Sequence, residues 1–152
     1  SIFPVGRLDI DTEGLLILTN DGWLAHNLLS PNKHVDKKYY VELRDPVMEA
    51  DIEKLENGIQ LDEDFITKDA KVEIIENSKI PINIANGKRN SSKVYITITE
   101  GKYHQVKRMF KATGNKVVYL KRIGMGMLRL DQNLKKGEYR ELSYEEIELL
   151  RS

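Results

Sequence analysis

Apolar and polar positions change rhythm several times along this chain, and each change marks an element. "LLILT" (15–19) is a short apolar run with the length and composition of a buried strand. "NDG" (20–22) signals a turn, and Asp21 can cap the helix predicted over 23–30. That helix carries Trp23, Leu24, Leu28 and Leu29 at helical spacing and meets Pro31 just beyond its end. "KKYYVEL" (37–43) reads as a strand, broken by Asp45-Pro46. Val47, Ile52 and Leu55 predict an amphipathic helix over 47–58, with Gly58 as its stop. A strand follows over 70–76, and the polar stretch 77–92 predicts a hairpin with a mobile loop. In 93–101, Val94, Ile96 and Ile98 share one face and Tyr95, Thr97 and Thr99 the other. A helix over 104–114 has the apolar stripe Val106, Met109, Phe110 and Thr113, with His104, Lys107 and Lys111 on its polar face. Strands over 116–126 and 127–130 follow. The closing helix, 142–150, is capped by Ser143, with Glu146 completing a capping box. Strands dominate and helices are scattered. The pattern predicts an α+β fold, a mixed, largely antiparallel sheet flanked by a few helices, forming one domain over 1–152.

Composition narrows the chemistry. The 152 residues are 40% hydrophobic and 32% charged, which fits a globular chain with a sizeable core. No apolar run approaches the ~20 residues of a membrane helix. The absence of cysteine excludes disulfides, thiolate zinc sites and cysteine nucleophiles, and suits a reducing cytoplasm. "SIFPVGRLD" enters an ordered pattern at once, so a fragment of a longer chain is expected. The net charge is zero but unevenly laid out. Between Gly101 and Leu130 fall eight of the 24 basic residues and none of the 24 acids. That asymmetry predicts a polyanion-binding face.

The densest acidic motif is "GRLDIDTEG" (6–14). Asp9, Asp11 and Glu13 followed by Gly14 match the first half of a calcium loop, but the second half has Ile17 and Asn20 where ligands belong, so a calcium site is excluded. His26, His34 and His104 stand singly, which speaks against a metal hydrolase. A single catalytic carboxylate remains: Asp9 lies just before a turn leading into a predicted buried strand, a rigid position facing a cleft, with Arg7 two residues away. On residue type and spacing alone, a turn or capping role for Asp9 is the commoner reading.

Three segments in order resolve the choice: "GRLDIDTEGLLILTNDG" (6–22), "KKYYV" (37–41), and "EGKYHQVKRMF" (100–110) followed by "LKRIG" (120–124). Together they resemble the RsuA class of bacterial pseudouridine synthases, from Val5 to the C-terminus. The resemblance implies that the chain isomerises a uridine in ribosomal RNA. It implies Asp9 as the catalytic nucleophile or base, Tyr39 as the tyrosine packing on the target base and handling its C5 proton, and Lys107 as the basic partner of the aspartate. Arg7 would hold the flipped-out nucleotide. Lys37, His104, Gln105, Arg108, Lys121 and Arg122 would complete the RNA-binding set. The base must leave its stack before the N1–C1′ bond breaks, and detached uracil must be retained, which suits an aromatic platform. No metal or organic cofactor is implied; the expected partner is ribosomal RNA, free or in an assembling subunit, with no membrane, and the expected state is a monomer. "NGIQL" and "GEYRELSYEEIELL" resemble members acting on small-subunit (16S) RNA more than those acting on the large subunit (23S). A catalytically silent RNA-binding module is the competing expectation. The class's N-terminal RNA-binding module and its opening "KP-x-G" strand have no counterpart here, so a catalytic domain incomplete at its N-terminus is expected.

Overall fold

A computed structural model describes residues 1–77 and 92–152 of the chain. In order these form β1 (Phe3–Pro4), β2 (Glu13–Gly14), β3 (Leu18–Thr19), α1 (Gly22–Leu29), β4 (Lys37–Leu43) and α2 (Glu49–Asn57). Then come β5 (Gln60–Asp62), β6 (Phe65–Ile66), β7 (Lys71–Asn77), β8 (Ser92–Ile98), α3 (Gln105–Ala112), β9 (Val117–Met125), β10 (Leu128–Arg129) and α4 (Tyr144–Arg151). The main sheet runs β10-β9-β4-β8-β7, antiparallel throughout, and β2 joins it in parallel alongside β9. The small ribbons β1-β3 and β5-β6 stand apart from it. This is the predicted α+β architecture.

Alternation sets the sheet's two faces. Along β8, Ser92, Val94, Ile96 and Ile98 are buried and the residues between them half-buried, as the two-residue period requires. Val41 and Leu43 of β4 meet them from the next strand, and Leu55 of α2 with Val106, Met109 and Phe110 of α3 close this first core. A second core gathers Val5, Ile17, Ala25, Leu28, Met125, Leu128 and Leu150 beneath α1 and α4. Both helix caps behave as expected: the Asp21 carboxylate accepts from the Trp23 and Leu24 N–H groups, and Ser143 and Glu146 form the capping box of α4.

Two local expectations change. Residues 15–19 are not one buried strand. The chain leaves β9 after Gly14 and rejoins β1 at Leu18, so only Ile17 is buried while Leu16 and Leu18 are exposed. Trp23, placed on the apolar side of α1, is exposed; Leu28 is buried as expected, and Ala25 joins it in the core. The expected hairpin over 77–92 is framed by antiparallel β7 and β8, and its predicted loop lies outside the described residues.

Candidate active site

The opening motif is folded by a turn and pinned by a glycine. The Thr12 N–H donates to the Asp9 carbonyl at 2.9 Å, which bends the chain over 9–12 and leaves Ile10 fully exposed at the tip. Gly14 then lies against the backbone of Arg122. Its φ is +111°, and a Cβ there would stand 2.1 Å from the Arg122 carbonyl oxygen. Only glycine permits that approach and that φ. Two bonds fasten the junction: the Leu15 N–H donates to the Arg122 carbonyl at 2.7 Å, and Arg122 Nε donates to the Leu15 carbonyl at 2.9 Å.

Asp9 is thereby held toward the start of α3. His104 Nε2 lies 3.6 Å from Asp9 Oδ1, and Lys107 Nζ lies 3.6 Å from Oδ2. Each oxygen of the carboxylate faces a different nitrogen base. Lys107 is shared: it hydrogen-bonds the Asp11 carboxylate, and that contact holds the Asp11 carboxyl below its ordinary value. Asp11, expected only to shape the turn, therefore competes with Asp9 for the lysine. Glu13 goes elsewhere, accepting from Lys136 Nζ and the Tyr119 hydroxyl, each at 2.8 Å. Asp9 and Asp11 thus converge on one lysine while Glu13 turns away, so the three acids do not gather around one point as a calcium loop requires.

Tyr39 and Arg122 form the floor. They are register partners on β4 and β9, beside a bulge between Lys38 and Tyr39. Burial pushes the Tyr39 hydroxyl above its ordinary value of 10.0 and the Asp9 charge adds to this, while Arg122 pulls it partly back. Tyr39 is therefore a neutral phenol at physiological pH. Arg122 is only 4% exposed and its Nη2 is buried without a hydrogen-bond partner. A guanidinium nitrogen left in that state is costly unless something else, such as substrate, completes it.

The other expected residues are more scattered. Arg7 is exposed and has no ion-pair partner among the described residues. Lys121 precedes Arg122 and lies on the opposite face of β9, beside Tyr40. Lys37 is buried and donates to the Thr99 carbonyl at 3.2 Å; burial first, and Arg122 second, lower its ammonium below the usual lysine value. Gln105 is buried with its amide on Glu100 Oε1 at 3.0 Å, and Glu100 also accepts from the Lys68 N–H. Arg108 reaches the β5-β6 ribbon, 2.7 Å from Asp62 Oδ1. The structure thus unites Asp9, His104, Lys107, Tyr39 and Arg122, and sets Lys37, Gln105 and Arg108 into the scaffold around them. The basic block is correspondingly divided, with Arg122 buried and Arg108 paired to Asp62 at the surface. The signal for Arg122 was available in the alternation of β9, which places it on the same side as Leu120 and Gly124.

An antiparallel sheet carrying an aspartate turn on one edge and a basic helix start against it defines a recognisable class of enzyme scaffold. The chain belongs to the RNA pseudouridylate synthase family, whose model matches residues 1–112. It is 54% identical, over 97% of its length, to the uncharacterized RNA pseudouridine synthase YtzG of Bacillus subtilis. It is 46% identical, over 96% of its length, to ribosomal small subunit pseudouridine synthase A of Salmonella typhimurium. In each case the chain spans 58% of the relative. A crystal structure of a pseudouridylate synthase superposes with a TM-score of 0.86 at 45% identity, over 98% of this chain and 59% of that one. The archaeal box H/ACA Nop10-Cbf5 complex shares the fold alone, with a TM-score of 0.59 at 19% identity.

Proposed function

We propose that this chain carries the catalytic part of an enzyme that isomerises one uridine of small-subunit ribosomal RNA to pseudouridine in the bacterial cytoplasm. The observation that supports it most is the Asp9 carboxylate, with His104 at one oxygen and Lys107 at the other, in the motif that the family match covers. Three relatives from enteric and Haemophilus species carry the name ribosomal small subunit pseudouridine synthase A at 45–47% identity, which supports the choice of RNA.

In this reading Asp9 is the attacking group. Its two nitrogen neighbours orient it and offset the loss of water when RNA covers the site. Tyr39, neutral and mostly buried, packs against the detached uracil, and its hydroxyl handles the C5 proton. The unpartnered Arg122 Nη2 supplies a donor to the nucleotide. Arg7, free at the rim, contacts the flipped-out nucleotide or its phosphates. Nothing in these steps calls on a metal or an organic cofactor.

Mapping pseudouridine in ribosomal RNA from cells with and without the gene tests this. One uridine of the small-subunit RNA should lose its modification on deletion, and a gene carrying Asp9→Asn should fail to restore it. A change confined to large-subunit RNA, or none, would contradict the reading.

A further inference from the structure

Tyr103 and His104 form a parallel stacked pair at the entrance to the site, with ring centroids 3.8 Å apart and planes 15° from parallel. His104 is the inner ring, 3.6 Å from Asp9, and Tyr103 is the outer one, 76% exposed. An exposed tyrosine by itself is unremarkable, but the backbone beneath this one is fixed from several sides. The Lys102 N–H donates to Gln105 Oε1 at 3.1 Å and the Gln105 N–H to the Lys102 carbonyl at 3.0 Å. Arg108 Nη1 donates to the Tyr103 carbonyl at 3.2 Å, and Gln105 is itself anchored on Glu100. His104 adopts a left-handed backbone, φ 47° and ψ 38°, which a residue with a Cβ seldom takes. Strain of this kind persists only where its surroundings hold it, and here it turns the imidazole under the phenol.

We infer that the outer face of Tyr103 is a stacking shelf for the RNA base that flanks the target uridine. This rests on the reading of Asp9 as the group that acts on a flipped-out uridine. Removing a nucleotide from a stack exposes the face of its neighbour, and an aromatic ring presented at the mouth of the site covers it again. Charge around the shelf suits RNA: Lys102 adjoins Tyr103, Lys111 stands exposed on α3, and the chain has no acid from 101 to 130. The ring pair continues the line from Asp9 outward, so target and neighbour occupy adjoining places. Stacking tolerates any base, so Tyr103 contributes affinity and registration rather than sequence choice.

The test compares Tyr103→Ala and Tyr103→Phe for binding to an in vitro transcript of small-subunit ribosomal RNA over a range of salt. The measurement is made in an Asp9→Asn background as well as in the unaltered protein. Tyr103→Ala should weaken binding by about tenfold, in line with loss of one base–aromatic stack, and Tyr103→Phe by less than twofold. The salt dependence should keep its slope, because no phosphate contact is removed. In turnover, KM should rise for Tyr103→Ala while kcat stays within about twofold, as removal of a uniform binding contact requires. Unchanged affinity in Tyr103→Ala, equal losses in both variants, or a slope reduced by about one would each overturn the shelf. Because the binding arm does not depend on turnover, a protein that releases no product yet loses affinity in Tyr103→Ala would refute the synthase reading and leave the shelf standing.

Discussion

Among the described residues, eleven buried apolar side chains make the core under α2 and α3, whereas seven make the core under α1 and α4. The first is enclosed by long strands and has most of its members fully sealed, including Phe110, Ile96 and Leu43. The second is assembled from single residues of loops, strand ends and two helices, and Ile17, Ala25 and Leu150 keep a few per cent of exposure. The candidate site is strung between them. Val5 and Ile17, which bracket the Asp9 turn, belong to the second core, while Val106, Met109 and Phe110, which seat His104 and Lys107, belong to the first. A carboxylate held by one core and its two nitrogen neighbours by another are placed only when both are intact. The geometry of the site therefore reports on the packing of the whole chain.

Truncation is the most forceful way to break this comparison. Phe110→Ala should cost about 3–5 kcal/mol, the range for deleting a sealed aromatic side chain. Leu28→Ala should cost less, about 2–3 kcal/mol, because the thinner core relaxes more easily around the gap. Urea unfolding followed by both near- and far-UV circular dichroism measures each. One coincident transition is expected in both variants; a separate early transition in Leu28→Ala would show that the second core melts by itself.

Gly14→Ala is a sharper cut at the seam. The added methyl meets the Arg122 backbone and the residue must keep a positive φ, so about 1–3 kcal/mol of strain is expected even if the fold survives. Activity should fall further than stability does, because the displaced segment carries Asp9. A crystal structure of the variant, read at the 3.6 Å separation of Asp9 and Lys107, checks this.

The smallest effect concerns the cover of the second core. Arg140 ties the segment after β10 to α4, through Asp131 at 2.8 Å and Glu146 at 2.7 Å. Arg140, followed by the Ser143 N–H, holds the Glu146 carboxyl down at about 2, against an ordinary value of 4.5. A depressed carboxyl stabilises fully above its unfolded value and loses that contribution as pH falls through its folded one. Glu146 therefore supports α4 above pH 4.5 and ceases to between there and pH 2. Glu146→Gln should remove that part of the acid dependence of the melting temperature while barely changing it at the bottom of the window. An unaltered acid limb would show that the cover is held by other contacts.

These regions were unequally legible in the sequence. The strands of the first core were readable because alternation in Val94-Ile96-Ile98 and a helical stripe in Val106-Met109-Phe110 are burial patterns that one element displays by itself. The second core uses isolated residues from five short segments, so "LLILT" looked like a strand when its even members face out. The β5-β6 ribbon was missed for the same reason, being only three and two residues long. For the site, residue types and family likeness led to Asp9, Tyr39 and Lys107. They did not reveal that Asp11 shares the lysine or that Lys37 is a buried support, because those contacts span 96 and 62 residues, which spacing along a chain does not encode. The inward face of Arg122 was legible in the alternation of β9, and Gln105 is held by contacts only three and five residues away.

The most direct test of the central claim follows hydrogen release from C5 of tritiated uridine in a small-subunit ribosomal RNA transcript, comparing the unaltered protein with Asp9→Asn. Replacing one carboxylate oxygen by an amide keeps the size of the side chain and removes its charge. The account predicts that release disappears in Asp9→Asn while RNA binding and melting temperature persist. Release at the unaltered rate from Asp9→Asn would contradict it.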